Sequence, residues 1–196
     1  YSSHAHDSLM AVFFGMLWGI GGLTFGLSMR YLGVALGQSL ALGTCAGLGT
    51  LLGPVFTGHS EKLTSAVIIG VIVTLIGITI IGIAGGMKST SLSDEEKKKA
   101  VADFNFPKGI FVALLSGFMS ACFAIGLEFG APVAFSGVNP VFASLPATFL
   151  VTLGGFIICA GYCLWQNKRN RTWADYGKSN LYLNNLLFCA LAGALW

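Results

Sequence analysis

Of 196 residues, 55% are hydrophobic and only 10% are charged, with a mean hydropathy of +0.77 and a formal net charge of +3. A soluble domain carries about 25% charged residues because its surface must face water, so this composition excludes an ordinary soluble enzyme or binding module. The charges also cluster in short stretches and leave long uncharged runs, which is the pattern of an all-α membrane protein built as a multi-span helical bundle.

Residues 1–8 are polar and have neither the basic start nor the apolar centre of a signal peptide. His4, His6 and Asp7 offer ligand atoms for a metal or a proton. They lack a fourth ligand and a fixed element, so a solvated tail is the simpler reading. The first span is expected over 9–29, where Gly15/Gly19 and Gly22/Gly26 have the spacing that lets helices approach closely. Trp18 stands near its middle, although Trp prefers the membrane interface. An indole at depth needs a partner for its N–H or a cavity to line, and its flat face suits stacking on a sugar ring. Structural and substrate-binding readings both stand for Trp18.

The second span, expected over 32–56, is rich in glycine. On a helix of 100° per residue, Gly33, Gly37, Gly43 and Gly47 fall within roughly a third of the circumference, and Gly49 and Gly53 lie on the other side. Such a helix packs closely on two faces. Gln38, about 9 Å in from Leu32 at 1.5 Å per residue, is a second candidate for contact with a substrate. In the third span, 64–84, the stretch Val67–Ile83 is almost wholly β-branched or Leu with three glycines, and its hydroxyls at Thr74 and Thr79 have their own helix carbonyls to bond. It is expected to face lipid. In the 85–108 loop, Ser93-Asp94-Glu95-Glu96 followed by Lys97-Lys98-Lys99 reads as a capping box opening a short solvated helix, with i, i+4 pairs at Asp94–Lys98 and Glu95–Lys99.

The fourth span, 109–130, carries Ser120 near its middle, a third candidate for substrate binding, and Glu128, which is the only carboxylate inside any full span. An ionisable group within a membrane segment is by default a functional hypothesis, and here the function would be proton coupling. Glu128 lies about 28 Å along the helix from Gly109, near one mouth, so an interfacial carboxylate is the competing reading. The fifth span is expected over 145–165, with Tyr162 and Trp165 at its edge. The last run, 181–196, has 16 residues, whereas a spanning helix needs about 20. Together with Tyr1 in place of Met, this reads as an internal piece of a longer protein with the final span cut short.

Ten of the eleven basic residues fall on one side of the spans: Arg30, Lys88, Lys97, Lys98, Lys99, Lys108, Lys168, Arg169, Arg171 and Lys178. The other side has Lys62. The positive-inside rule makes the richer side cytoplasmic and places residue 1 outside. The five cysteines lie in apolar runs, where Cys packs as a small hydrophobe. No phosphate loop, H-E-x-x-H, nucleophile elbow or zinc-spaced set is present, so catalytic residues, metal ligands and cofactors are not expected. The basic residues have no aromatic interleaving, and nucleic acid is not indicated.

The stretch Phe14-Gly15-Met16-Leu17-Trp18-Gly19-Ile20-Gly21-Gly22, continued by Gly26-Leu27-Ser28-Met29-Arg30-Tyr31-Leu32-Gly33, closely resembles the L-rhamnose–proton symporter family of the drug/metabolite transporter superfamily. The likeness runs through the second span to Gly53-Pro54. It resumes at Lys108-Gly109, Ser120-Ala121, Pro132, Leu145-Pro146 and Ala194-Leu195-Trp196, so it covers nearly the whole chain. The resemblance implies a ten-helix parent made of two inverted five-helix repeats, of which these residues supply helices three to seven and the start of the eighth. It further implies proton-coupled uptake of L-rhamnose or a related sugar across a bacterial inner membrane, with sugar and proton sharing a central cavity. It falls on Trp18 and Arg30 more directly than on Glu128, where members of the family can carry a neutral amide; Trp18 is placed to meet the substrate, and Arg30 to anchor the cytoplasmic end of its span. A superfamily relative moving another small metabolite, and a membrane protein that does not transport, are the alternatives.

Overall fold

The computed structural model describes residues 4–91, 93, 103–133, 139–177 and 179–195, and among these the secondary structure is entirely helical. The principal helices are α1 (Ala5–Leu32), α2 (Val34–Phe56), α3 (Ser65–Ser91), α4 (Phe106–Gly130), α5 (Leu145–Asn170) and α6 (Ser179–Leu195). Five of them are long and apolar enough to cross a membrane. The capping box and lysine run read at 94–99 lie outside the described residues. The chain divides into two compact units, Tyr1–Cys159 and Ala160–Trp196.

Helix α1 begins at Ala5, so His6 and Asp7 are not a loose tail. They form the first turn, where the positive helix end favours the Asp7 carboxylate, and His4 and His6 stand 3.7 and 3.5 Å from it. Helices α1 and α2 are separated by one residue, Gly33, whose φ of 83° is costly for any side chain. The break falls there because the Gly33 N–H still reaches the Met29 carbonyl at 2.8 Å while its own carbonyl accepts from Gly37 at 3.0 Å.

Several hydroxyls inside the apolar helices are satisfied locally. Thr74 donates to the Gly70 carbonyl at 2.9 Å, Thr79 to Leu75 at 2.8 Å and Thr50 to Ala46 at 2.7 Å. Back-bonding of this kind lets a polar side chain sit in hydrocarbon without an unpaired donor.

In the first unit α4 is central and packs along both α1 and α2, while α3 leans mainly on α2. The two glycine faces of α2 are used as their spacing suggests. Gly43 lies against Ile78 of α3, and Gly49 and Gly53 face Ala124 of α4. A core of Leu32, Leu40, Ala41 and Ala113 joins α1, α2 and α4. A fully buried hydrogen bond crosses between helices: the Ser116 hydroxyl of α4 donates to the Gly21 carbonyl of α1 at 2.9 Å. Helix α3 leaves Ile69, Ile72, Val73, Ile76 and Ile80 exposed, consistent with a surface solvated by lipid.

The first half of α5 crosses α1 backbone to backbone. A Cβ on Gly15 would strike the Val151 carbonyl, and one on Gly154 the Val12 carbonyl. The N-terminus of α4 is fixed by the Asn105 side chain, which accepts from the Lys108 N–H at 3.2 Å. Around it, the Asn105 N–H bonds the Tyr31 carbonyl at 3.1 Å, Lys108 sits 4.7 Å from the Tyr31 ring centre, and Arg30 pairs with Asp103. In the second unit, the cation of Arg169 lies 5.3 Å from the Trp165 ring centre, and α5 ends at Asn170, just before Arg171, whose φ is 55°.

The glycine contacts are testable. Gly154→Ala places a methyl group against backbone that has no rotamer to yield, and is expected to destabilise the protein by about 1–3 kcal/mol. Gly77→Ala adds a methyl group where nothing lies within 4 Å and is expected to be neutral or slightly stabilising. Thermal unfolding of the two detergent-purified variants checks the contrast.

Candidate functional site: a recess between α2 and α4

Two of the candidate substrate residues occupy neighbouring rungs of the α1–α4 contact. Trp18 and Gly21 are one turn apart on α1, and Ser120 and Phe123 are one turn apart on α4. The Trp18 and Phe123 rings lie 5.0 Å apart at 56°. A Cβ on Gly21 would sit 2.7 Å from the Ser120 hydroxyl, and one on Gly155 would sit 2.6 Å from the edge of the Trp18 indole. Gly155 therefore makes the room that the edge of the Trp18 ring occupies.

Phe123 and Ser120 open onto a recess of about 290 Å³ between α2 and α4. Cys45, Ala46, Gly49 and Thr50 form its α2 wall, and Ser120, Ala121, Phe123 and Ala124 form its α4 wall. The volume is at the small end of the range for ligand pockets, ~300–1,000 Å³. The wall is mostly carbon. The Thr50 hydroxyl is committed to the Ala46 carbonyl, whereas no hydrogen bond among the described residues uses the Ser120 hydroxyl. The recess thus offers a ligand the Ser120 hydroxyl and the acceptor side of the Thr50 hydroxyl.

Gln38 is exposed on α2. It lies seven residues before Cys45, about 10 Å of rise away and about 20° from the same helix face. The structure does not bring it to the recess, but it continues the recess wall toward the Gly33 end of α2.

Glu128 stands apart, in the last turn of α4. Lys62, from the segment between α2 and α3, grips it with two hydrogen bonds, at 2.8 Å to Oε1 and 2.7 Å to Oε2. The Glu128 side chain is 24% exposed and that of Lys62 is 49% exposed, which is a pair at a mouth rather than in a core. Its partner was not inferred from sequence, although the signal was present: Lys62 is the one basic residue on its side of the charge bias. Cys45, Ala46 and Gly49 were missed for another reason, since small apolar residues announce no chemistry until a second helix faces them.

The chain matches, over residues 1–196, the family model described as L-rhamnose-proton symport protein (RhaT). The L-rhamnose-proton symporters of Yersinia pestis bv. Antiqua (strain Antiqua) and Yersinia pseudotuberculosis (strain YPIII) are each 33% identical to it over 210 residues. The aligned region covers 100% of this chain and 60% of either relative, so the chain spans about 60% of the length of the curated proteins it matches. No solved structure matches. Five apolar helices of membrane-spanning length and this kinship make it an integral membrane protein. The match over every residue, 1–196, shows that the chain belongs to the L-rhamnose-proton symport protein family.

Proposed function

We propose that these helices belong to a secondary active transporter that takes up L-rhamnose, or a closely related sugar, together with a proton across a bacterial inner membrane. The residue 1 end lies on the periplasmic side and the 85–108 loop in the cytoplasm, as the positive-inside rule requires. The observation that carries the reading is the recess, monosaccharide-sized and lined by Phe123, which packs on Trp18, and by the Ser120 and Thr50 hydroxyls, in a chain that matches the symporter family along its length.

Trp18 and Phe123 supply an aromatic face for the C–H side of a pyranose, and Ser120 supplies a hydrogen bond. Gln38, with both donor and acceptor on its amide, meets the sugar further along α2. Glu128 carries the proton. While ionised it is held by Lys62. Protonation removes the charge that makes this pair strong and frees the segment between α2 and α3 from the end of α4. A partly exposed pair is worth about 1 kcal/mol or less, small enough to break and re-form in every transport cycle. Alternating access follows if the two inverted repeats of the whole protein rock about a site near the midplane.

Radiolabelled L-rhamnose uptake into cells expressing the whole protein is expected to exceed that of empty-vector cells and to collapse with a protonophore. Absence of uptake, with the protein located in the membrane, would overturn the reading. Glu128→Gln is expected to stop accumulation against a gradient while retaining rhamnose exchange in counterflow, because Gln keeps the shape and loses the titration. Trp18→Ala is expected to raise KM about tenfold, equivalent to ~1.4 kcal/mol of lost binding, and Trp18→Phe by less; initial-rate uptake measures both.

A further inference from the structure

We propose that the last turns of α5 and the turn that follows form a binding site for the phosphate headgroup of an anionic phospholipid, built from Trp165, Lys168, Arg169 and Arg171. The inference goes beyond the sugar-transport reading, and its test needs no transport.

Depth comes first. Helix α5 runs for 26 residues from Leu145 to Asn170, which is ~39 Å at 1.5 Å per residue. The hydrocarbon core of a bilayer is ~30 Å thick, so a helix entering it at Leu145 leaves it near Trp165. Residues 165–171 then stand among the headgroups. Two rings mark the boundary, as aromatic side chains do at membrane interfaces. Tyr162 and Trp165 are both exposed, with ring centres 5.9 Å apart.

The charges follow at the same level. Lys168, Arg169 and Arg171 are all exposed, and among the described residues no carboxylate pairs with any of them. The helix dipole accounts for cations in the last turn, but Arg171 lies past the end of α5. Its φ of 55° is a conformation that glycine adopts at lower cost, so the turn itself does not call for an arginine. The turn is tied back to the helix by the Thr172 hydroxyl, which donates to the Asn167 side-chain oxygen at 3.0 Å. The three cations therefore project from a bonded turn and not from a loose tail.

Arg169 shows how a phosphate would be met. Its guanidinium carbon lies over the Trp165 ring, 5.3 Å from the centre. Stacking uses the flat face of the guanidinium and leaves the N–H groups on its edge, which bond phosphate oxygens two at a time. At 100° per residue, positions 162, 165 and 169 fall within a ~60° sector of the helix. The stripe runs ring, ring, cation from the hydrocarbon outward, the same order as acyl chain, glycerol and phosphate in a lipid. A zwitterionic headgroup brings its own cation, which three basic groups without an acid repel; an anionic headgroup brings none. On the orientation proposed above this is the cytoplasmic leaflet, whose anionic lipids attract basic segments at the ends of spans.

Thermal unfolding of the purified whole protein in detergent tests the site, with phosphatidylglycerol, phosphatidylcholine or inorganic phosphate added at equal concentration. Wild type is expected to gain about 2–4 °C in Tm with phosphatidylglycerol and nothing with the other two. Replacing Lys168, Arg169 and Arg171 together by Gln is expected to abolish the gain. Replacing Lys97, Lys98 and Lys99 by Gln removes as much charge elsewhere and is expected to preserve it. Arg169→Lys, which keeps the charge but not the two-pronged edge, is expected to shrink the gain without abolishing it. A second readout uses wild type alone, in phosphatidylcholine vesicles carrying a photoactivatable phosphatidylglycerol. Crosslinking, mapped by peptide mass spectrometry, is expected to concentrate in residues 162–173. The proposal is overturned by no gain with phosphatidylglycerol, by an equal gain with phosphatidylcholine or with free phosphate, by a gain that survives loss of the three cations, or by crosslinks spread evenly over the basic segments.

Discussion

Everything in the first unit depends on how closely helices approach where hydrophobic burial cannot draw them together. Lipid tails are as apolar as leucine, so association inside a membrane rests on packing and on polar contacts between helices. In this chain packing is achieved by subtraction. Gly15 and Gly154 let α1 and α5 meet carbonyl against Cα, and Gly117 admits Thr44 of α2 beside α4, where a Cβ would come within 2.5 Å of the Thr44 Cβ. The buried bond from Ser116 to the Gly21 carbonyl then fixes the register of α1 on α4. Once these contacts are set, the bulky groups have no freedom: Trp18 lies on Gly155 and against Phe123, and Ser120 lies beside Gly21. The recess is what remains where α2 and α4 are held together by glycine and alanine but nothing fills the gap.

Charge is used at the ends of α4 rather than along it. At one end Arg30 pairs with Asp103 beside the Asn105 cap, and at the other Lys62 pairs with Glu128. Both pairs link α4 to a segment that precedes it by many residues, and both are partly open to water, where an ion pair is weak and screened by salt. They are better suited to being made and broken than to holding the fold, which the buried glycine contacts already do. The two ends differ in one respect. Asp103 sits in the connection before α4, but Glu128 is on the helix itself, so a change in its charge acts directly on the helix that forms one wall of the recess.

The membrane class, the helices and the family were legible in the sequence because each is written in long-range pattern: apolar run length, charge asymmetry and the Phe14–Gly33 motif. The helix ends were less so. The apolar run carries Gly33 within the second span, yet its positive φ makes it the break itself, and residues 5–7 join α1, where Asp7 suits a helix N-terminus. Trp18 and Ser120 stood out as polar groups at depth, and the fold sets them on adjacent rungs. Gln38 stood out for the same reason and lies two turns from the recess. What could not be read were pairings between distant segments. Nothing local to Lys62 names Glu128 as its partner, and Cys45 and Gly49 acquire a role only when Ala124 is seen opposite.

The central claim is that sugar and proton cross together, and the proton is the more diagnostic of the two. The most direct measurement places the purified whole protein in liposomes containing a pH-sensitive dye, with no initial ion gradient, and adds L-rhamnose outside. The account predicts acidification of the lumen that begins with sugar addition, is absent with a sugar that does not compete for uptake, and is absent in Glu128→Gln. Sugar entry without any change in lumenal pH would contradict it.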